Sequence, residues 1–256
     1  MLELEQKLFG QLIRLKEEYD LQGIKAEFEA EGSSFRDLVR LRRITDKLNV
    51  PLFLKVGGVE AIRDIKDSLE IGVDGLIGPM VESRFGLKKF VDGVTSIYKD
   101  KKIHRSINIE TKNAVKNIDE ILDLARSTID NITIGRTDLS SSYFDPAIQP
   151  DSEFIFELIE ELRMKIADAG LTMTVGGSLS KRSVELFRKQ EKKWKGTNLR
   201  LETRKVILSM EMMLRKKESI MEALKFEELY ILSKKEINDL FLEAETARLT
   251  RLKTRS

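Results

Sequence analysis

The chain has 256 residues, long enough for one barrel-sized domain with a full core. Lys and Arg number 45 against 43 Asp and Glu, a net charge of +2, which excludes a global electrostatic pull toward nucleic acid or anionic membrane. With no cysteine and a single histidine, His104, the composition excludes disulfide frameworks, thiolate nucleophiles and multi-histidine metal sites, and it points to a cytoplasmic protein.

The first segment, 1–22, spaces Leu8, Leu12, Leu15 and Tyr19 as the apolar stripe of a helix. It is acidic and alternating at its start, unlike a signal peptide. No later run approaches the ~20 apolar residues of a membrane span. Gly23 to Ala30 alternates apolar and charged residues as a strand does, and a helix follows through Phe35, Leu38, Val39 and Leu41. Strand and helix then repeat. The pattern predicts strands at 52–56, 75–80, 105–110, 131–136, 171–175 and 199–207, with helices at 59–71, 84–99, 113–127, 151–169 and 180–191. Alternating βα units predict a parallel sheet with helices packed on it. Beyond residue 207 two further helices are expected, 210–225 and 234–251. Leu214, Ile220, Met221 and Leu224 on one, with Leu240, Leu242 and Leu249 on the other, offer apolar surface to a second copy of the chain. The expected domains are therefore a barrel over 1–208 and a helical extension over 209–256, serving oligomerisation. The basic tail 248–255 is read as a solvated helix end.

Strand parity adds information. Ile24, Ala26 and Phe28 share one face, and Lys25, Glu27 and Glu29 share the other; Leu52, Leu54 and Val56 oppose Phe53 and Lys55. Ile107 and Ile109 oppose Ser106, Asn108 and Glu110. Strands covered by helices are normally apolar on both faces. A buried charged face persists only where its members pair, bind metal or meet a polar ligand, as at the mouth of a barrel. A solvated edge sheet would alternate in the same way.

Two carboxylates, Glu110 and Asp138, each close an apolar strand-like run and lie 28 positions apart, about one βα unit. Catalytic groups of (β/α) barrels sit at strand C-termini, and Mg²⁺ takes one or two carboxylates while leaving positions for substrate oxygens. Helix capping is the plainer role for either residue. Lys55 pairs with Glu27 or Glu29, or else neutralises a developing oxyanion. Asn108 faces the same way as Glu110 and is placed to bond a substrate hydroxyl. Glu82 either caps a helix or orients Lys55. Gly176-Gly177-Ser178 suggests an anion-binding turn, and Glu202 and Arg204 are read as an inward-facing ion pair.

The segments Ile107-Asn108-Ile109-Glu110-Thr111, Ile134-Gly135-Arg136-Thr137-Asp138-Leu139-Ser140 and Ile71-Gly72-Val73-Asp74-Gly75-Leu76-Ile77-Gly78-Pro79-Met80 together resemble the HpcH/HpaI class II pyruvate aldolase and citrate lyase β-subunit superfamily over roughly 20–208. The resemblance implies a TIM-type (β/α) barrel, Mg²⁺ or Mn²⁺ as cofactor, and metal-dependent carbon–carbon lyase chemistry on a 2-oxo acid or related carboxylated substrate. By position it makes Glu110 and Asp138 metal ligands and Gly135 and Thr137 part of the loop that holds the keto-acid carboxylate. It puts Lys55 where the family has an arginine. Ala30 stands at the position of the family's base-orienting histidine, so Glu29 becomes the candidate base. The resemblance leaves the first barrel strand without an evident counterpart ahead of residue 23, and it implies a homo-oligomer. The alternative is a non-catalytic barrel that binds a small anion or a partner protein.

Overall fold

The computed structural model describes residues 1–194 and 197–255. It is a closed barrel of eight strands in sequential order. The chain opens with α1 (Glu3–Glu18), β1 (Leu21–Glu27), α2 (Phe35–Asp46), β2 (Leu52–Lys55) and α3 (Ile62–Ile71). It continues with β3 (Gly75–Gly78), α4 (Arg84–Tyr98), β4 (His104–Ile109), α5 (Lys112–Lys116) and α6 (Ile118–Ala125). Next come β5 (Asn131–Gly135), α7 (Arg136–Ser141), α8 (Glu153–Asp168), β6 (Thr172–Gly176), α9 (Lys181–Lys189) and α10 (Glu191–Trp194). The last elements are β7 (Leu199–Glu202), β8 (Val206–Ser209), α11 (Met210–Arg215) and α12 (Ser219–Lys253). Caps mark several helix starts: Ser34 with Asp37 forms a capping box on α2, and the Thr111 hydroxyl accepts from Ala114 N–H on α5.

The expected TIM-type barrel is present, and two details differ from the sequence reading. The run 199–207 is two strands, not one. Only three residues, Thr203-Arg204-Lys205, separate β7 from β8. A parallel crossover needs about a dozen residues or more, so β8 must turn back antiparallel to β7, and it also pairs antiparallel with β1. Thr203 fastens the turn: its N–H donates to Val206 O at 2.9 Å and its hydroxyl accepts from Val206 N–H at 3.1 Å. The strand with no counterpart ahead of residue 23 is thus supplied from the other end of the sheet. The second detail concerns 210–251, where α11 is followed by one continuous helix of 35 residues rather than a pair of helices.

Outward-facing strand residues such as Ile24, Leu52, Leu54, Ile107, Ile132 and Val175 are fully buried under the helices. The α1 helix packs on β1 and α12, and α12 packs on β8 and α1. On α12, Ile220, Ala223, Phe226, Tyr230 and Ser233 are buried, whereas every described residue from Asn238 onward is exposed.

Inside, the barrel is layered. At the bottom, Phe53 with Ile77 and Ile207 forms a small apolar plug, and the His104 ring meets Phe53 edge-on at 5.2 Å. His104 therefore sits at the end of the barrel remote from the strand C-termini. Above the plug, Asn131 donates to the Ser106 and Thr133 hydroxyls at 2.8 and 3.2 Å and accepts from Thr172 and Thr174 at 3.1 Å each. The charged layer lies at the mouth. The plug fits because Gly75 has no side chain: a Cβ there would come within 2.4 Å of the Phe53 ring and 3.2 Å of the His104 Cβ. Gly75→Ala is expected to destabilise the fold by about 1–3 kcal/mol, the usual cost of overpacking, measured by urea denaturation.

Candidate active site

The mouth of the barrel encloses a cavity of 480 Å³ lined by residues of β1, β2, β4, β5 and β7, of the segments that follow β1, β3, β4, β6 and β7, and of α7 and α12. Three cationic side chains, Lys25, Lys55 and Arg204, face six carboxylates there: Glu27, Glu29, Glu110, Asp138, Glu202 and Glu227. Lys25 donates to Glu202 at 2.6 Å and lies 3.4 Å from Glu27. Lys55 lies 2.7 Å from Glu29 and 3.6 Å from Glu110. Burial alone would lower both ammonium groups, but the carboxylates outweigh it, Glu202 and Glu27 for Lys25 and chiefly Glu110 and Glu29 for Lys55, so both are held above the ordinary lysine value of 10.5. A lysine held protonated in this way is a fixed positive charge and a poor imine-forming nucleophile.

Glu110 is positioned from three sides. Its Oε1 accepts from Met80 N–H at 3.0 Å, its Oε2 accepts from Asn108 Nδ2 at 2.9 Å, and it is only 2% exposed. Met80 takes a left-handed backbone with φ 50° to aim that N–H, beyond the end of β3. Gly135 allows the close approach, since a Cβ there would lie 2.7 Å from Glu110 Oε2. Asp138 lies in the first turn of α7, lines the same cavity, and makes no side-chain hydrogen bond or ion pair among the described residues. Thr137, beside it, has its hydroxyl 2.9 Å from that of Ser178. Between them passes Gly177 at φ 83°, so close that a Cβ would sit 2.5 Å from Thr137 N.

Glu29, Lys55, Asn108, Glu110, Gly135, Thr137 and Asp138 therefore all border one cavity, although Glu29 lies past the end of β1 rather than in it. Other readings change. Glu202 and Arg204 do not pair with each other: Glu202 is held by Lys25, and Arg204 points to Glu27 at 3.4 Å, because Arg204 sits in the β7–β8 turn rather than on the strand. Glu82 does not orient Lys55, since it accepts from the Thr111 hydroxyl at 2.6 Å. Arg136 ends no strand. It opens α7 with a fully buried guanidinium that donates to Gly176 O at 3.0 Å, Gly177 O at 2.8 Å and Asp151 at 2.7 Å, tying three loops of the rim together.

Leu224, expected to face a second copy of the chain, instead lines this cavity, and Leu214 and Ile220 of the same stripe are buried within the chain; sequence reading missed Glu227 of α12, which also lines the cavity. A glutamate on a strongly charged helix gives no signal of its own. It missed Lys205 too, buried to 1% exposure against Glu31 and the Tyr230 ring; burial lowers its pKa despite Glu31.

A hard cation suits this donor set in part. Glu110 and Asp138 are oxygen ligands of the required kind on one wall, Asn108 Oδ1 beside them is a buried acceptor with no partner, and the lining carries more carboxylates than cations. No group of three His, Asp or Glu side chains gathers among the described residues, so any ion would need water or substrate oxygens to complete its shell.

Removing Lys25 would leave Glu202 and Glu27 buried without their main counter-charge, and Lys25→Met is expected to cost about 3–5 kcal/mol, as broken buried pairs do, read by urea denaturation. In the wild type the two raised ammonium groups stabilise the fold fully below the unfolded lysine value of 10.5 and lose that contribution as pH rises through their higher folded values. The contribution of this pair should accordingly be lost only in strong alkali, above pH 10.5, where the urea midpoint of the wild type should fall more steeply than that of Lys25→Met.

The sequence was also compared with known proteins. The family model for HpcH/HpaI aldolase/citrate lyase matches residues 46–156. No curated protein matches the sequence. Similar solved structures include the HpcH/HpaI aldolase from Desulfitobacterium hafniense DCB-2, 17% identical at a TM-score of 0.60 over 77% of this chain and 82% of that one. Citrate synthase SbnG is also 17% identical, at a TM-score of 0.60 over 92% of this chain and 90% of its own. An HpcH/HpaI aldolase/citrate lyase family protein from Burkholderia cenocepacia J2315 is 12% identical, at 0.60 over 78% and 83%. At such identities the structural likeness is one of fold. Residues 46–156 thus match the model of the HpcH/HpaI aldolase/citrate lyase family, and the barrel they belong to shares its fold with solved structures that carry that name.

Proposed function

We propose that the chain is a divalent-metal-dependent carbon–carbon lyase of the aldolase type, acting in the cytoplasm on a 2-oxo acid or related carboxylated substrate. The observation that carries this reading is the convergence of Glu110, Asp138 and Lys55 on one cavity at the strand C-termini, within a domain of lyase type. Glu110 and Asp138 would hold Mg²⁺ or Mn²⁺, which when bound supplies Lewis acidity toward a carbonyl oxygen.

This chain's own groups do the rest. Lys55, protonated, places positive charge where an enolate oxygen develops. As an ammonium it lacks the two-pronged grip of an arginine. Asn108 steadies Glu110 through its amide N–H and leaves its own carbonyl for a substrate donor. Thr137 and Ser178 offer hydroxyls, and Gly135 keeps that wall open. Glu29 is the candidate base: its Oε2 is ion-paired with Lys55 but accepts no hydrogen bond of good geometry, so a lone pair stays free for a proton.

One observation favours the rival, a non-catalytic barrel binding a small anion or a partner protein. Lys55 bridges Glu29 and Glu110 and already offsets part of their charge without any metal. Calorimetric titration with Mg²⁺ or Mn²⁺ decides between them. Binding is expected in the wild type and lost in Glu110→Ala and Asp138→Ala. With pyruvate or oxaloacetate and a panel of aldehydes, coupling, cleavage or decarboxylation should follow, and Glu29→Gln should lower kcat by about 10²-fold or more at nearly unchanged metal affinity. Folded protein that neither binds metal nor turns over any of these would sink the reading.

The outer half of α12 exposes Leu240, Phe241, Leu242, Leu249 and Leu252, and the reading includes self-association along it. Light scattering at micromolar concentration is expected to return a mass above that of one chain, and a clean monomer of 29.4 kDa would reject it.

A further inference from the structure

The cavity's charges are unevenly satisfied. Each of its three cations is already committed, Lys25 to Glu202 and Glu27, Lys55 to Glu29 and Glu110, and Arg204 to Glu27. If Glu110 and Asp138 are given to a divalent ion, Glu227 is the one lining carboxylate left without an ion partner. It makes no hydrogen bond or ion pair among the described residues, and it stands where the cavity opens: Glu227 and Arg204 also line a groove of 540 Å³ outside the barrel. A second atom is short of a donor. Asn108 is 4% exposed, borders the cavity, and its Oδ1 has no partner. A buried acceptor left without a donor is costly, so both groups call for hydrogen-bond donors. An incoming anion would find each of the three cations already paired with a carboxylate.

Resting on the aldolase reading above, we infer that Glu227, delivered by α12, is a specificity-determining residue that selects a substrate group rich in hydrogen-bond donors and free of negative charge, best met by an ammonium. A hydroxylated or amine-bearing carbonyl compound fits the lining beside Glu227, and a carboxylated or phosphorylated acceptor does not. The electrostatics around the residue agree. Burial raises the Glu227 carboxyl above its ordinary value; Lys205, Arg204 and Lys25 pull it down and Glu31 pushes it up, for a net rise. A carboxylate kept from full solvation gains more from a bound cation than an exposed one does.

The test uses three small probes, ethanolamine, glycerol and 3-hydroxypropionate, titrated by calorimetry or ligand-observed NMR into the full chain with and without Mg²⁺. Ethanolamine is expected to bind tighter than 3-hydroxypropionate, with glycerol between them, and Glu227→Gln should shrink the ethanolamine preference by about tenfold, as loss of a charge-assisted hydrogen bond does. Thermal melting of Glu227→Gln checks its fold. In the wild type, ethanolamine affinity should also weaken as pH falls from about 8 to 4 and the carboxyl protonates, a readout that needs no variant. A preference for 3-hydroxypropionate, an ethanolamine preference unchanged by Glu227→Gln, or an affinity flat across that pH range overturns the inference. An absent Mg²⁺ isotherm would count against the metal reading alone, since the probe comparison without metal still stands.

Discussion

The buried bridge from Lys25 on β1 to Glu202 on β7 is the contact on which this barrel turns. Between those strands lies β8, the one strand that runs against the rest, and the bridge spans it across the interior. An antiparallel strand set among parallel neighbours pairs through two unlike ladders, and the β1–β8 register slips between Leu21 and Gly23. The ion pair supplies a fixed point above that seam. It also keeps Glu202 against Gly176, where a Cβ would lie 2.7 Å from the Glu202 Cγ, so the β6–α9 turn and the Thr137–Ser178 wall inherit their position from it. Buried ion pairs add little net stability over apolar packing. Their strength is geometric, since each partner has few other places to go.

From that seam the rest of the mouth follows in order. The turn that closes β8 lifts Arg204 and Lys205 to the rim, where Arg204 meets Glu27 and Lys205 meets Glu31. Lys55 sits one strand further round and does for Glu29 and Glu110 what Lys25 does for Glu202. The result is a polar interior whose charges are largely paired with one another, while Asp138, Glu227 and the Asn108 carbonyl have no partner among the described residues. Stability and receptivity are thus divided among different side chains in the same cavity.

Much of this was legible in the sequence. The alternation of Ile24 and Ala26 with Lys25 and Glu27, and of Ile107 and Ile109 with Asn108 and Glu110, announced a charged inner face because strand parity is a hard geometric rule. The motifs around Glu110 and Asp138 announced the barrel and the side of it that matters. The β7–β8 turn was hidden because Thr203-Arg204-Lys205 contains no glycine, proline or asparagine, and the alternation of Leu199, Leu201 and Thr203 runs straight into it. Pairing Glu202 with Arg204 failed for the same reason. Two residues apart on one strand they would share a face, but Glu202 ends β7 and Arg204 sits in the turn beyond it. Arg136 looked like a strand end because its neighbours are β-branched, and its burial depends on carbonyls some 40 positions away. Glu227 could not be seen at all: one acidic residue in a helix of mixed charge looks the same whether it meets water or a cavity.

The packing of α1 on α12 imposes an order on how the molecule can be made. Leu8, Leu12 and Leu15 of α1 are buried, yet part of their cover comes from a helix roughly 200 residues later in the chain. At synthesis rates of about 5–20 residues per second, that cover arrives on the order of 10–40 seconds after α1 leaves the ribosome. During this interval an apolar stripe waits in water beside a sheet whose final strand does not yet exist. The time that stripe spends exposed in the nascent chain is therefore set by translation speed rather than by any folding barrier.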